Sequence, residues 1–101
     1  MALVKVGTLA QLGPGSVMEA VVDGQPYAVC NAAGEVYALE GACPHRGGPL
    51  GHGEMDGHRV VCPWHLWEFD CRTGAYDRDP GVRVAAVPVR VEDGDILLEV
   101  P

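Results

Sequence analysis

The chain reads as short apolar runs broken at close intervals by turn residues. "SVMEAVV" leads into "DGQP", "YAVCN" into "AAGE", and "VYALE" follows. Further along come "HRVVC", "WEFDC" and "VRVAAVPVRV". At the end, "PVRV" and "ILLEV" flank "EDGD", whose glycine is available for the positive φ of a tight hairpin. Valine, tyrosine and other strand formers fill these runs. Only "TLAQL" can make a helical turn, and it is too brief to stand alone. The pattern predicts an all-β domain of short strands, a sandwich or small barrel.

One region interrupts this pattern. Gly41 to Gly57 holds six glycines and two prolines, with almost no strand-like alternation. A structureless loop of that length inside a compact domain is usually functional. Residues 41–81 are therefore read as an insertion carrying a site, mounted on a β base built from residues 1–40 and 82–101.

Composition narrows the possibilities. A chain of 101 residues suits one domain, with a modest core that a metal cross-link would help. No apolar run approaches the roughly 20 residues of a membrane span. The opening "MALVKVGTLAQLG" lacks the form of a secretory signal. The expectation is a cytoplasmic protein, or a soluble fragment of something larger. Seven basic residues against 14 acidic ones give a net charge of -7, which argues against a nucleic-acid partner. The acidity serves either solubility or steering toward a basic protein partner. Residues 41–80 hold six acids and four arginines, a balance of -2, and the remainder carries -5.

The four cysteines are Cys30, Cys43, Cys62 and Cys71. Without an export signal they read as metal ligands or buried thiols before disulfides. Two of them stand beside histidines: Cys43 with His45 in "CPHRGGPL", and Cys62 with His65 in "CPWH". All four side chains suit borderline or soft metals. Pro44 and Pro63 each push the cysteine before them toward extended backbone. Gly47, Gly48 and Gly51 permit tight turns that leave backbone N–H groups to face an anionic sulfur. Mononuclear zinc is one reading of this set. Finger-type spacing, however, pairs like with like, whereas each pair here offers one thiol and one imidazole. That interleaving suits two metals, as in a [2Fe–2S] centre whose second iron takes two histidines.

"CPHRGGPLGHGEMDGHRVVCPWH" resembles the Rieske motif, C-x-H followed after sixteen residues by C-x-x-H, and the likeness runs on through "WEFDCRTGAYDRDPGVR". The whole is similar to a small Rieske-type ferredoxin of the kind that serves bacterial ring-hydroxylating dioxygenases. The resemblance implies an antiparallel β base with a small inserted cluster-binding subdomain. It implies that Cys43 and Cys62 bind an inner iron and His45 and His65 an outer one near the surface. "DRDPGV", with Pro80, resembles the third loop that covers the cluster. Two thiolates and two neutral imidazoles make the oxidised site neutral, whereas four thiolates would make it a dianion. Such centres accordingly lie at about -150 to +300 mV, against about -400 mV for plant-type ferredoxins. High-potential relatives carry an extra disulfide between the two loops and two hydroxyls after the second histidine. Gly48 and Trp64 stand at the disulfide positions here, and Trp67 and Phe69 at the hydroxyl positions, which implies the low end of that range.

The leading reading is a one-electron carrier between a flavin-containing or iron–sulfur reductase and a terminal oxygenase, with no nucleic-acid or membrane partner. The small subunit of an assimilatory nitrite reductase and a zinc-stabilised interaction module remain alternatives. A self-contained oxygenase is not expected, because the 36 residues after His65 hold no histidine for a separate iron site. No catalytic arrangement of Ser/His/Asp or Cys/His type is left once the ligands are assigned. Trp67 reads as a packing residue and Trp64 as a shield or docking residue. Arg46, His52 and His58 read as solvent-facing, and Cys30 and Cys71 as reduced, partly buried thiols. No hydrophobic stripe marks an interface.

Overall fold

The computed structural model describes residues 2–44, 46–64, 66–79 and 81–101. The strands in chain order are β1 (Ala2–Thr8), β2 (Val17–Val22), β3 (Gln25–Ala32), β4 (Glu35–Glu40) and β5 (Glu54–Asp56). They continue with β6 (Arg59–Val61), β7 (Glu68–Asp70), β8 (Ala86–Val87), β9 (Val89–Glu92) and β10 (Asp95–Val100). A 3-10 turn, Leu50–His52, precedes β5. The strands form three antiparallel sheets, ordered β1-β10-β9, β2-β3-β4-β8 and β5-β6-β7. Among the described residues no helix is long and apolar enough to cross a membrane.

Three hairpins close on two-residue turns with both residues at positive φ. They are Asp23-Gly24 (51° and 80°), Ala33-Gly34 (55° and 98°) and Asp93-Gly94 (50° and 82°). This handedness matches the twist of the flanking strands. The turns set the registers of β2 on β3, β3 on β4, and β9 on β10.

Strand β3 is buried on both faces from Tyr27 to Ala32. Because strand side chains alternate, its two faces serve two different cores. Tyr27 and Val29 pack with Leu12, Ala20, Ile96, Leu98 and Val100. Ala28 and Cys30 face the other way, into a core with Leu39, Leu50, Val60, Phe69 and Val84. In β4, Ala38 and Leu39 divide in the same manner. The first core joins the sheet containing both chain ends to the central sheet. The second lies between the central sheet and the cysteine-bearing turns.

Three features differ from the sequence-based expectations. "ALVKVGT" forms β1, a seven-residue strand paired with β10 and interrupted by a register shift between Lys5 and Gly7. "TLAQL" makes reverse turns, with the Gln11 N–H donating to the Thr8 carbonyl at 3.0 Å and the Leu12 N–H to the Leu9 carbonyl at 3.2 Å. Buried Asn31 holds that turn, its Nδ2 donating to the Leu12 carbonyl at 2.9 Å while its Oδ1 accepts the Gly34 N–H at 2.8 Å. The Gly41–Gly57 stretch is not structureless, since it contains the 3-10 turn and β5. Part of its glycine content reflects close packing: a Cβ on Gly51 would stand 2.6 Å from the Glu19 Cα.

Candidate metal centre

The first cysteine turn is a ring of backbone hydrogen bonds. The Leu50 N–H donates to the Gly41 carbonyl at 2.9 Å, and the Cys43 N–H to the Gly48 carbonyl at 2.8 Å. The Gly47 N–H donates back to the Cys43 carbonyl at 2.6 Å, with Gly47 at φ 76°. That N–H is thus spent closing the turn and does not face a sulfur, contrary to the sequence-based expectation. Pro44 and Arg46 are exposed, while Cys43 is buried.

The second turn is closed by the Cys62 N–H, which donates to the Trp67 carbonyl at 2.7 Å. Inside it, Leu66 adopts φ 59°, a left-handed conformation unusual for a branched side chain. Cys62 is fully buried. Burial pushes its thiol pKa up, and the hydrogen bond and charge of the neighbouring Cys43 thiol add to this, while a backbone hydrogen bond from Trp64 opposes it. The two turns meet at Gly48, where a Cβ would stand 2.8 Å from the Cys62 Sγ and 3.1 Å from the Trp64 ring. Two thiols from separate turns are thus brought side by side in one core. That donor pair fits a metal group held between the turns. His45, His65 and Pro80 lie outside the described residues.

A third loop adjoins the second turn. The Tyr76 N–H donates to the Val82 carbonyl at 2.8 Å, the Val82 N–H to the Asp79 carbonyl at 2.9 Å, and the Gly81 N–H to the Asp79 Oδ1 at 3.0 Å. Tyr76 stacks on Trp67, with ring centroids 4.1 Å apart and planes 5° off parallel. Phe69 packs against both rings. Trp67 is therefore a packing residue, but one that joins two loops. Sequence spacing carries no signal of this contact.

The remaining candidates fall as follows. Trp64 and Leu66 are 49% and 70% exposed, so two large apolar side chains stand either side of position 65. His52 is exposed yet bonded to the Glu19 carboxylate at 2.8 Å, and His58 is exposed. Cys30 lies inside β3, and both it and Cys71 are fully buried, not partly. Both are free thiols. Their mutual hydrogen bond, with burial second, pushes the Cys30 pKa far up, so this thiol stays protonated. The Cys71 Sγ also lies 3.8 Å from the Met55 Sδ.

Comparison with known proteins places this geometry. Residues 2–90 match the family described as the Rieske [2Fe-2S] domain. The biphenyl 2,3-dioxygenase ferredoxin component of Rhodococcus jostii strain RHA1 is 31% identical, over 98% of this chain and 94% of that protein. The solved ferredoxin of carbazole 1,9a-dioxygenase from Nocardioides aromaticivorans IC177 is 33% identical, with a TM-score of 0.90 and 100% of each chain covered. A 78-residue stretch is 37% identical to 4beta-methylsterol monooxygenase of Methylococcus capsulatus, covering 67% of this chain but only 21% of that longer protein. By its family match, its end-to-end likeness to two ferredoxins and its paired buried thiols, this chain belongs to the Rieske [2Fe-2S] domain family.

Proposed function

We propose that this protein is the ferredoxin component of a ring-hydroxylating dioxygenase system, a one-electron carrier and not itself the catalyst. When bound, the [2Fe–2S] cluster supplies a centre that accepts and releases single electrons. Cys43 and Cys62 would hold one iron, and His45 and His65 the other. Residues 41–81 would form the cluster-binding subdomain, and residues 1–40 and 82–101 its base. The observation that carries the reading is the meeting of the Cys43 and Cys62 turns in one core, next to exposed Trp64 and Leu66. Buried thiols keep water from the sulfur ligands, while the exposed side chains give a partner an apolar surface to dry on contact.

The electron donor would be a flavin-containing or iron–sulfur reductase and the acceptor a terminal oxygenase, all in the cytoplasm. The centre belongs at the low end of the Rieske range, because Gly48 and Trp64 offer no disulfide and Trp67 and Phe69 no hydroxyl. A zinc-stabilised module would need the same thiols and is set aside with the family assignment.

The test has two parts. Purified protein should carry acid-labile sulfide and two irons per chain, with a rhombic EPR signal after dithionite reduction. His45→Ala should remove that signal. Reduced protein mixed with an aromatic-ring dioxygenase should be reoxidised in single-turnover experiments. Reoxidation by a nitrite reductase large subunit, with none by the dioxygenase, would favour the small-subunit alternative. Bound zinc without sulfide would overturn both.

A further inference from the structure

The second cysteine turn is held in a conformation that its own sequence resists. Leu66 sits at φ 59° with its side chain 70% exposed, so little packing of its own holds it there. A left-handed conformation costs a non-glycine residue free energy, and it persists only where the surroundings impose it. The surroundings here are two. The Trp67 carbonyl accepts the Cys62 N–H at 2.7 Å, and the Trp67 ring lies flat on Tyr76 at 4.1 Å. Tyr76 is itself fixed by its N–H bond to the Val82 carbonyl and by a bridge to Phe69, which is fully buried. The next residue, Asp77, donates its N–H to the Glu68 carbonyl at 2.9 Å. The stack is therefore fastened to the sheet on one side. On the other it forms part of a cleft of about 380 Å³ lined also by Leu66, Glu68, Asp77 and Arg78.

We infer that Tyr76 is a positioning residue for electron transfer: its stack on Trp67 clamps the 62–67 turn against the strain at Leu66 and so keeps the Trp64 N–H on the Cys62 sulfur. That hydrogen bond lies within the clamped turn. Donors to ligand sulfur favour the reduced state of an iron–sulfur centre and raise its potential. The inference rests on the cluster assignment above, and neither partner protein is needed to test it.

The experiment is a redox titration, followed by EPR, of holoprotein variants with matched iron and sulfide content. Tyr76→Leu removes the ring partner and should lower the midpoint potential and broaden the EPR features. Tyr76→Phe keeps the ring and should titrate as the parent does. Leu66→Gly added to Tyr76→Leu removes the strain that the clamp opposes and should move the potential back toward the parent value. A fully loaded Tyr76→Leu protein with an unchanged or raised potential would overturn the inference. Should Tyr76→Leu alone fail to hold iron, recovery of loading in the double variant supports the clamp. Failure of the double variant beside a normally loaded Tyr76→Phe protein overturns it. A parent protein without iron and sulfide would defeat the cluster assignment instead, so the two failures are distinguishable.

Discussion

At the scale of single residues, the tightest constraint lies where the two cysteine turns touch. Gly48 has no room for a side chain, since its Cβ would press on the Cys62 Sγ at 2.8 Å and on the Trp64 ring at 3.1 Å. The half-exposed Trp64 ring can give way, but the Cys62 sulfur cannot retreat cheaply, because Cys62 is fully buried. Gly48→Ala should therefore lower the iron and sulfide content per chain several-fold while leaving the far-UV circular dichroism unchanged. Full loading of the variant would show that the turns are free to part. A second residue-scale effect is electrostatic. The Arg72 side chain, bonded to Asp70 at 2.9 and 3.1 Å, holds the Asp70 carboxyl below its ordinary pKa, with the Arg72 N–H also bonded to it at 2.8 Å. A lowered native pKa means that the unfolded chain takes up the proton first as pH falls. The contribution is complete above about pH 4, the ordinary carboxyl value, and is lost as pH drops below it through the native value. The stability difference between the parent and Asp70→Asn, read as urea midpoints side by side, should narrow over that acid window. A gap independent of pH would contradict this.

At the scale of elements, the hairpins show what local sequence can specify. "DG" occupies two of the three two-residue turns that hold both residues at positive φ, where aspartate tolerates the left-handed region and glycine adopts it freely. The third turn uses Ala33 at φ 55°, a poor residue for that conformation, and its side chain is exposed. Ala33→Asn should raise stability by about 0.5–1 kcal/mol, seen as a higher thermal midpoint of the holoprotein. A lowered midpoint would mean that Ala33 makes a contact worth more than the strain. These turns, the alternating strands and the spaced Cys/His pairs could be read from the chain because each is a local pattern. Strand β1 is not legible locally, although "ALVKVGT" has the composition of a strand, because what fixes it is pairing with β10 at the far end of the chain. The 3-10 turn and β5, at three residues each, are too short for any period to show. The Trp67–Tyr76 stack and the Cys30–Cys71 contact join residues nine and 41 positions apart, and only the fold brings them together. Leu66 gave no signal at all, since nothing in "HLW" announces a left-handed residue.

At the scale of the whole molecule, charge is spread unevenly along the chain. The net charge is -7, and residues 41–80 contribute only -2 of it. Exposed Trp64 and Leu66 belong to that less acidic segment. Glu35, Glu40, Glu92 and Asp93, among others, are exposed on the rest of the chain. Such a distribution suits two stages of encounter. Long-range attraction by the acidic body brings a basic partner near, and the apolar side chains then make contact where single charges would be costly to desolvate. The first stage depends on salt. The screening length shortens from about 30 Å at 0.01 M to about 8 Å at 0.15 M ionic strength, so distant acids stop contributing. The second stage depends little on salt. Stopped-flow rates of electron transfer from the reduced protein to the proposed oxygenase should therefore fall several-fold over that range and then level off, with the residual rate set by apolar contact. Replacing exposed acids outside residues 41–80, as in Glu35→Gln with Glu92→Gln, should flatten the salt dependence while leaving the midpoint potential unmoved. A rate that rises with salt would mean that the charges repel the partner, and the acidic surface would then serve solubility alone.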